Sequence, residues 1–169
     1  MKNACVIGWP IAHSRSPLIH GYWLKKYGIA GSYTKVAVPA DELKAFLSGL
    51  AANGFAGCNV TVPHKEAAFA LAEIKEASAI AVGAANTIWL EDGKIACANT
   101  DTFGFMTHPT RSAPIWNQSN APVLLLGAGG AARAIAYGFL EAGVSRVMIA
   151  NRSRARADRV GARSATLNL

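Results

Sequence analysis

The sequence predicts an α/β protein in two parts: an N-terminal α/β domain with a mostly parallel sheet, then one βαβ unit. Three observations predict it. Strand-like and helix-like patterns alternate along the chain from Ala4 onward. Residues 109–121, with Pro109, Pro114 and Asn117-Gln118-Ser119-Asn120, break that alternation and read as a linker. A Gly-rich turn, Gly127-Ala128-Gly129-Gly130-Ala131-Ala132, follows the apolar run Val123-Leu124-Leu125-Leu126. The expected division is therefore 1–108, a linker over 109–121, and 122–169.

Each element has its own signal. Ala4–Gly8 reads as a buried strand. Pro17–Tyr27 reads as a helix, with Pro17 suited to the first turn. Tyr33–Val38 alternates like a strand and stops at Pro39. Asp41–Leu50 reads as a helix whose acidic start serves as its cap. Gly57–Val62 is a strand with β-branched residues, halted by Pro63. His64–Ala81, rich in Ala with Glu and Lys interspersed, reads as helix, with a break near Ala72. Asn86–Leu90 and Lys94–Ala98 flank Glu91-Asp92-Gly93, a hairpin signal. Thr102–Thr107 reads as a short helix. Pro122–Leu126, Gly130–Ala142 and Arg146–Ala150 form the βαβ unit. Residues from Gly161 to Leu169 read as an unstructured end.

Composition excludes several classes. Hydrophobic residues make up 51% and charged residues 16%, which is not the balance of a disordered chain. No apolar run is long enough to span a membrane. The N-terminal apolar stretch is broken by Gly8 and Pro10, too short for a signal-peptide core, so a cytoplasmic location is expected. Cys5, Cys58 and Cys97 are odd in number and far apart, which argues for buried thiols over a disulfide framework or metal site. The net charge is +7, but residues 152–169 carry five arginines against one aspartate. That concentration, without interleaved aromatics, is not a nucleic-acid footprint. It reads either as a solvated helix face or as a phosphate contact.

The spacing Gly127-x-Gly129-x-x-Ala132 fits a dinucleotide-binding turn between strand and helix, a Rossmann-type unit. The first Gly permits the tight turn, and the second lets the backbone approach a pyrophosphate. The helix start at Gly130 and Ala131 presents N–H groups to the phosphates. NAD-binding folds place a carboxylate about 20 residues on. Here that place holds Asn151-Arg152-Ser153-Arg154-Ala155-Arg156. A guanidinium holds a 2′-phosphate bidentately, so NADP is preferred over NAD, with Asn151, Arg152, Ser153 and Arg156 as candidate contacts.

Other motifs read two ways when taken singly. Lys65 stands in the first turn of a helix, where the dipole disfavours a cation. It is either a solvated lysine or one held over a pocket at the strand ends. Ser14-Arg15-Ser16-Pro17 and Asn99-Thr100-Asp101 each read as helix caps or as ligand contacts. Asn86-Thr87 reads as a turn or a contact.

In order along the chain stand Ser14-Arg15-Ser16-Pro17, Asn59-Val60-Thr61-Val62-Pro63-His64-Lys65, Gly83-Ala84-Ala85-Asn86-Thr87, Asn99-Thr100-Asp101, Gly127-Ala128-Gly129-Gly130-Ala131 and Asn151-Arg152-Ser153. Together they resemble the shikimate dehydrogenase family, from Ala4 to about Asp158. The resemblance implies reversible, NADPH-dependent reduction of 3-dehydroshikimate to shikimate, a step of chorismate and aromatic amino acid biosynthesis. It implies that Ser14 and Ser16 bind the substrate carboxylate and that Thr61 and Asn86 bind ring hydroxyls. Lys65 and Asp101 would be the catalytic pair, both also touching substrate. Quinate/shikimate dehydrogenases and a non-catalytic shikimate-binding module are the alternatives.

Two departures stand out. The family's Asp-Gly is Asp101-Thr102 here, and nothing after Val160 resembles the later strands and helices that wall the nicotinamide. A truncated dehydrogenase is therefore expected, its activity doubtful. A lone βαβ unit cannot bury both faces of its sheet, so exposed apolar surface and association, for instance as a homodimer, are also expected.

Overall fold

The computed structural model describes residues 2–118 and 121–166. The chain divides into two compact units, Met1–Glu76 with Ala85–Ala98, and Ala77–Ala84 with Asn99–Leu169.

The first unit is built on a six-stranded sheet. Its strands are β1 (Lys2–Gly8), β2 (Gly31–Ala37), β3 (Phe55–Val60), β4 (Ile74–Lys75), β5 (Thr87–Glu91) and β6 (Lys94–Ala98), in the order β2-β1-β3-β5-β6-β4. β1 pairs in parallel with both β2 and β3, while β5 runs antiparallel to β3 and β6. The sheet is thus mostly parallel around one hairpin, as the pattern predicts. The hairpin turn needs positive φ at both central residues, and Asp92 at 50° and Gly93 at 77° supply it.

Helices α1 (Ser16–Lys26), α2 (Leu43–Ser48) and α3 (Lys65–Leu71) connect these strands. Cys5, Ile7, Val60, Ile88 and Cys97 from the sheet are buried, as are Leu43, Leu47 and Leu50. Leu43 and Leu47 are spaced i, i+4, so α2 turns one stripe inward. Each such side chain contributes roughly 1.5–3 kcal/mol by leaving water. The three cysteines are buried free thiols, and Cys5 and Cys58 are register partners on β1 and β3. The Cys5 neighbour and burial push the Cys58 thiol up.

The second unit holds α4 (Ala77–Val82), α5 (Asp101–Ser112), β7 (Val123–Leu126), α6 (Gly130–Glu141), β8 (Val147–Ala150) and α7 (Arg154–Thr166). β7 and β8 pair in parallel as a two-stranded sheet. One face packs on the helices, where Ala128, Ala136 and Val160 are buried against Leu125, Val147 and Ile149. Among the described residues nothing covers the other face, where Leu124, Leu126 and Met148 are exposed.

Four expectations are corrected. The break expected near Ala72 is present, but residues 74–75 beyond it are strand rather than helix. α3 ends at Leu71, Ala72 turns extended, and β4 joins the sheet edge beside β6. Edge pairing overrides the helical propensity there: the Glu73 and Glu76 N–H groups donate to Ile95 and Cys97 carbonyls. The acidic start of α2 is not a side-chain cap, since its N-cap position is Glu42 and makes no cap bond. α5 runs to Ser112, longer than 102–107 and four residues into the segment expected as linker. Finally, α7 continues through Gly161 to Thr166 rather than ending in coil, because burial of Val160 outweighs the weak helix propensity of Gly161. The expected unstructured end at 167–169 and linker residues 119–120 lie outside the described residues. Among the described residues, no helix is long and apolar enough to cross a membrane.

Candidate functional site

In the first unit the candidate polar groups gather at one end of the parallel strands. Ser14 lies between β1 and α1, half-buried, and its Oγ accepts the Ser16 N–H at 3.3 Å. Ser16 is the first residue of α1. The N-cap position there is Arg15, with no side-chain cap bond, so neither serine serves as the conventional cap. The Tyr33 hydroxyl donates to Asn59 Oδ1 at 2.6 Å. Asn59 Nδ2 donates to the Asn86 carbonyl at 3.2 Å and to Thr87 Oγ1 at 3.3 Å. The Thr87 hydroxyl in turn donates to Asn86 Oδ1 at 2.9 Å.

A continuous chain of bonds thus links Tyr33, Asn59 and Asn86 across β2, β3 and the start of β5. Burial pushes the Tyr33 phenol up, which keeps it a neutral donor. Asn86 is no simple turn: its N–H donates to the Ala98 carbonyl, and its carbonyl accepts from Val60. Tyr33 and Asn59 carry no assigned role from sequence. The available signal was Asn59, a polar side chain inside a β-branched strand, which needs partners when taken from water.

Thr61 follows β3, and its N–H donates to the Ile7 carbonyl at 2.9 Å. Lys65 is the first residue of α3 and is half-buried. Its carbonyl accepts the Ala85 N–H at 2.8 Å, which ties the start of α3 to the segment leading into Asn86. Toward the opposite end of these strands, α1 and the sheet line a cleft of about 470 Å³ that includes Lys2, Ala4, His20, Trp23, Tyr33 and Gly57. Its apolar lining does not suit a polyhydroxy acid.

In the second unit Asp101 opens α5, half-buried. The Asn99 side chain fixes the start of α5. Its Oδ1 accepts the Asp101 N–H at 2.9 Å and its Nδ2 donates to the Ala84 carbonyl at 2.8 Å. The N-cap position is Thr100, without a side-chain cap bond.

The Gly-rich turn has the expected form. Gly127 adopts φ 118°, which only glycine tolerates readily, and its N–H donates to the Ala150 carbonyl at 2.8 Å. Ala128 is buried. Gly129 is the N-cap of α6, with Gly130 and Ala131 in its first turn. A Cβ placed on Gly129 meets no atom within 4 Å. The space in front of that backbone is open, as close approach of a pyrophosphate requires. Past β8, Asn151 Nδ2 donates to the Ser153 carbonyl at 2.9 Å, which closes a turn that exposes Arg152. Arg154 pairs with Asp158 at 2.8 Å. Arg156 is exposed on the first turns of α7. Guanidiniums of this kind fit a phosphate monoester.

Two family models match the chain. The shikimate dehydrogenase substrate-binding domain matches residues 6–88, and the shikimate/quinate 5-dehydrogenase model matches residues 111–168. The chain belongs to the shikimate dehydrogenase family. A shikimate dehydrogenase (NADP(+)) from Azorhizobium caulinodans is 52% identical over 163 residues, 96% of this chain and 58% of that protein. One from Brucella canis is 51% identical, covering 95% of this chain and 55% of its own length. The shikimate 5-dehydrogenase of Thermus thermophilus, solved in complex with shikimate, matches with a TM-score of 0.84 at 34% identity. It covers 98% of this chain and 62% of its own. The shikimate dehydrogenase of Aquifex aeolicus matches with a TM-score of 0.87 at 33% identity, over 96% of this chain and 60% of its own. The chain therefore spans less than two thirds of the length of these relatives.

Proposed function

We propose that this chain carries the substrate-binding part and the first part of the cofactor-binding region of an NADP-dependent shikimate dehydrogenase. The observation that carries the reading is the ordered set of polar groups, Ser14 through Asp101, in a chain about half identical to shikimate dehydrogenases (NADP(+)). A Thermus thermophilus relative solved with NADP(H) and shikimate, 34% identical with a TM-score of 0.82, supports both ligands. The functional division into a substrate part and a cofactor part is placed at 109–121, supported by family models that end at 88 and begin at 111. α5 nevertheless packs with the second unit, because the Thr102 hydroxyl donates to the Ala134 carbonyl.

In this proposal Ser14 and Ser16 donate hydroxyl hydrogens to the carboxylate of 3-dehydroshikimate. Thr61 and Asn86 hold ring hydroxyls. Lys65 stabilises the negative charge that develops on the ketone oxygen and supplies its proton. Asp101 accepts a hydrogen bond from the adjacent hydroxyl. NADPH, when bound, supplies the hydride. Its pyrophosphate would rest against Gly127, Ala128, Gly129, Gly130 and Ala131. Its 2′-phosphate would be held by Asn151, Arg152, Ser153 and Arg156.

Purified chain is to be mixed with 3-dehydroshikimate and NADPH while nicotinamide absorbance is followed. Turnover that is far slower in Lys65→Ala, with KM little changed, supports the reading. Turnover unaffected by Lys65→Ala refutes the catalytic assignment, and faster turnover with NADH refutes the NADP assignment. Quinate in the reverse direction separates the quinate/shikimate type. The bare face of the two-stranded sheet favours a second reading, a non-catalytic shikimate-binding module. Its signature is shikimate-dependent stabilisation by roughly 4 °C or more without turnover. A cytoplasmic location and self-association through that face belong to the same proposal, the latter checked by sedimentation.

A further inference from the structure

We infer that His64 is a positioning residue for Lys65, an inference that rests on the shikimate dehydrogenase reading. His64 is only 2% exposed. A polar ring buried to that degree costs stability unless it is hydrogen-bonded. Its Nε2 lies 2.7 Å from the Val38 carbonyl oxygen. A carbonyl only accepts, so Nε2 carries the hydrogen. Val38 is itself buried and lies one residue beyond β2, past the last β1–β2 register pair, Gly8 with Ala37. Its N–H still donates to the Gly8 carbonyl, but its own carbonyl lies outside the ladder and takes the imidazole instead.

The consequence falls on Lys65. His64 is the N-cap residue of α3, yet α3 has no side-chain cap bond to fix its first turn. That turn also carries a cation where the helix dipole disfavours one. Two backbone bonds hold it: the His64 N–H to the Thr61 carbonyl at 2.9 Å, and the Ala85 N–H to the Lys65 carbonyl at 2.8 Å. These tie it to the end of β3 and the approach to β5. The imidazole adds a third tie, to the end of β2. Lys65 thus starts its side chain from a backbone position pinned to three strands, and His64 is the member of that arrangement that acts through a side chain.

Competitive acetylation of the lysines, read by mass spectrometry on the full chain with and without shikimate, tests this. His64→Phe keeps bulk but removes the donor, whereas His64→Gln keeps an N–H at the end of its side chain. Lys65 is expected to label about fivefold faster in His64→Phe and within about twofold of the original rate in His64→Gln. Half-buried Lys75 on β4 and exposed Lys94 should keep their rates. An unchanged Lys65 rate in His64→Phe overturns the inference. So does a parallel rise at Lys75, which would mark general loosening. Should His64→Phe not fold, His64→Leu carries the same comparison. Failure of shikimate to slow Lys65 labelling in the unaltered chain refutes the functional reading instead, separately from the His64 comparison.

Discussion

The two compact units bury their sheets to different extents. In the first, β1 has a parallel neighbour on each side, and Cys5, Val6 and Ile7 are at most 3% exposed. In the second, β7 is at least as apolar in sequence, Val123-Leu124-Leu125-Leu126, yet Leu124 is 57% and Leu126 82% exposed. A continuous apolar run reads as a strand covered on both faces. Here only one face is covered. The same kind of sequence thus yields a finished core in one unit and half a core in the other. The polar groups assigned to substrate lie mostly in the unit with the finished sheet, in loops and at helix starts, whereas the cofactor turn rests on the half-covered one.

Paired leucine truncations would break or sharpen this contrast most. Leu47→Ala, at a fully buried position, is expected to cost about 2–5 kcal/mol in urea unfolding. Leu126→Ala should stay within about 0.5 kcal/mol. Comparable costs at both positions would mean that β7 is covered in solution. A smaller effect is expected inside the second unit. A Cβ on Gly138 would come within 2.6 Å of Met106 Cγ and 3.0 Å of Thr102 Cγ2. Gly138→Ala should therefore cost about 1–3 kcal/mol, because α5 and α6 meet at that point.

Gly129→Ala should leave stability within about 0.5 kcal/mol, since the added methyl meets nothing. If the cofactor reading is right, it should still weaken NADP binding in equilibrium dialysis. Undiminished binding would remove the pyrophosphate from that turn.

The smallest effect concerns His20, which stacks on Tyr33 with ring centroids 4.0 Å apart. Burial holds its pKa below the ordinary 6.5. The folded state then takes up the proton less readily than the unfolded one. Its contribution is complete above pH 6.5 and is lost as pH falls through the lower folded value. His20→Gln should slightly flatten the acid limb of the stability curve.

Local chemistry was legible in the sequence wherever it decides the outcome alone. Asp92-Gly93 dictated the hairpin, and the β6 limits Lys94–Ala98 follow from it. The Gly127–Gly129 spacing located the turn between β7 and α6. What escaped depends on distant partners. Ile74 and Lys75 leave a helical pattern because β6 offers an edge. α5 passes Pro109 while its aromatic Phe105 packs on Phe139 of α6, a gain invisible from either segment alone. The candidate site divides in the same way. Ser14, Ser16, Thr61, Lys65, Asn86 and Asp101 stand out through motif order. Tyr33 matters only because β1 aligns β2 and β3 on either side of it, which sets the Tyr33 hydroxyl against Asn59.

Native-state hydrogen exchange followed by mass spectrometry tests the central contrast most directly. Peptides covering β1 and β3 are expected to exchange roughly a thousandfold more slowly than those covering β7 and β8, which open locally at much lower free energy. Equal protection of the two sheets would contradict the account, since it would mean that the bare face carrying Leu124 and Leu126 is as well covered as the core around Ile7.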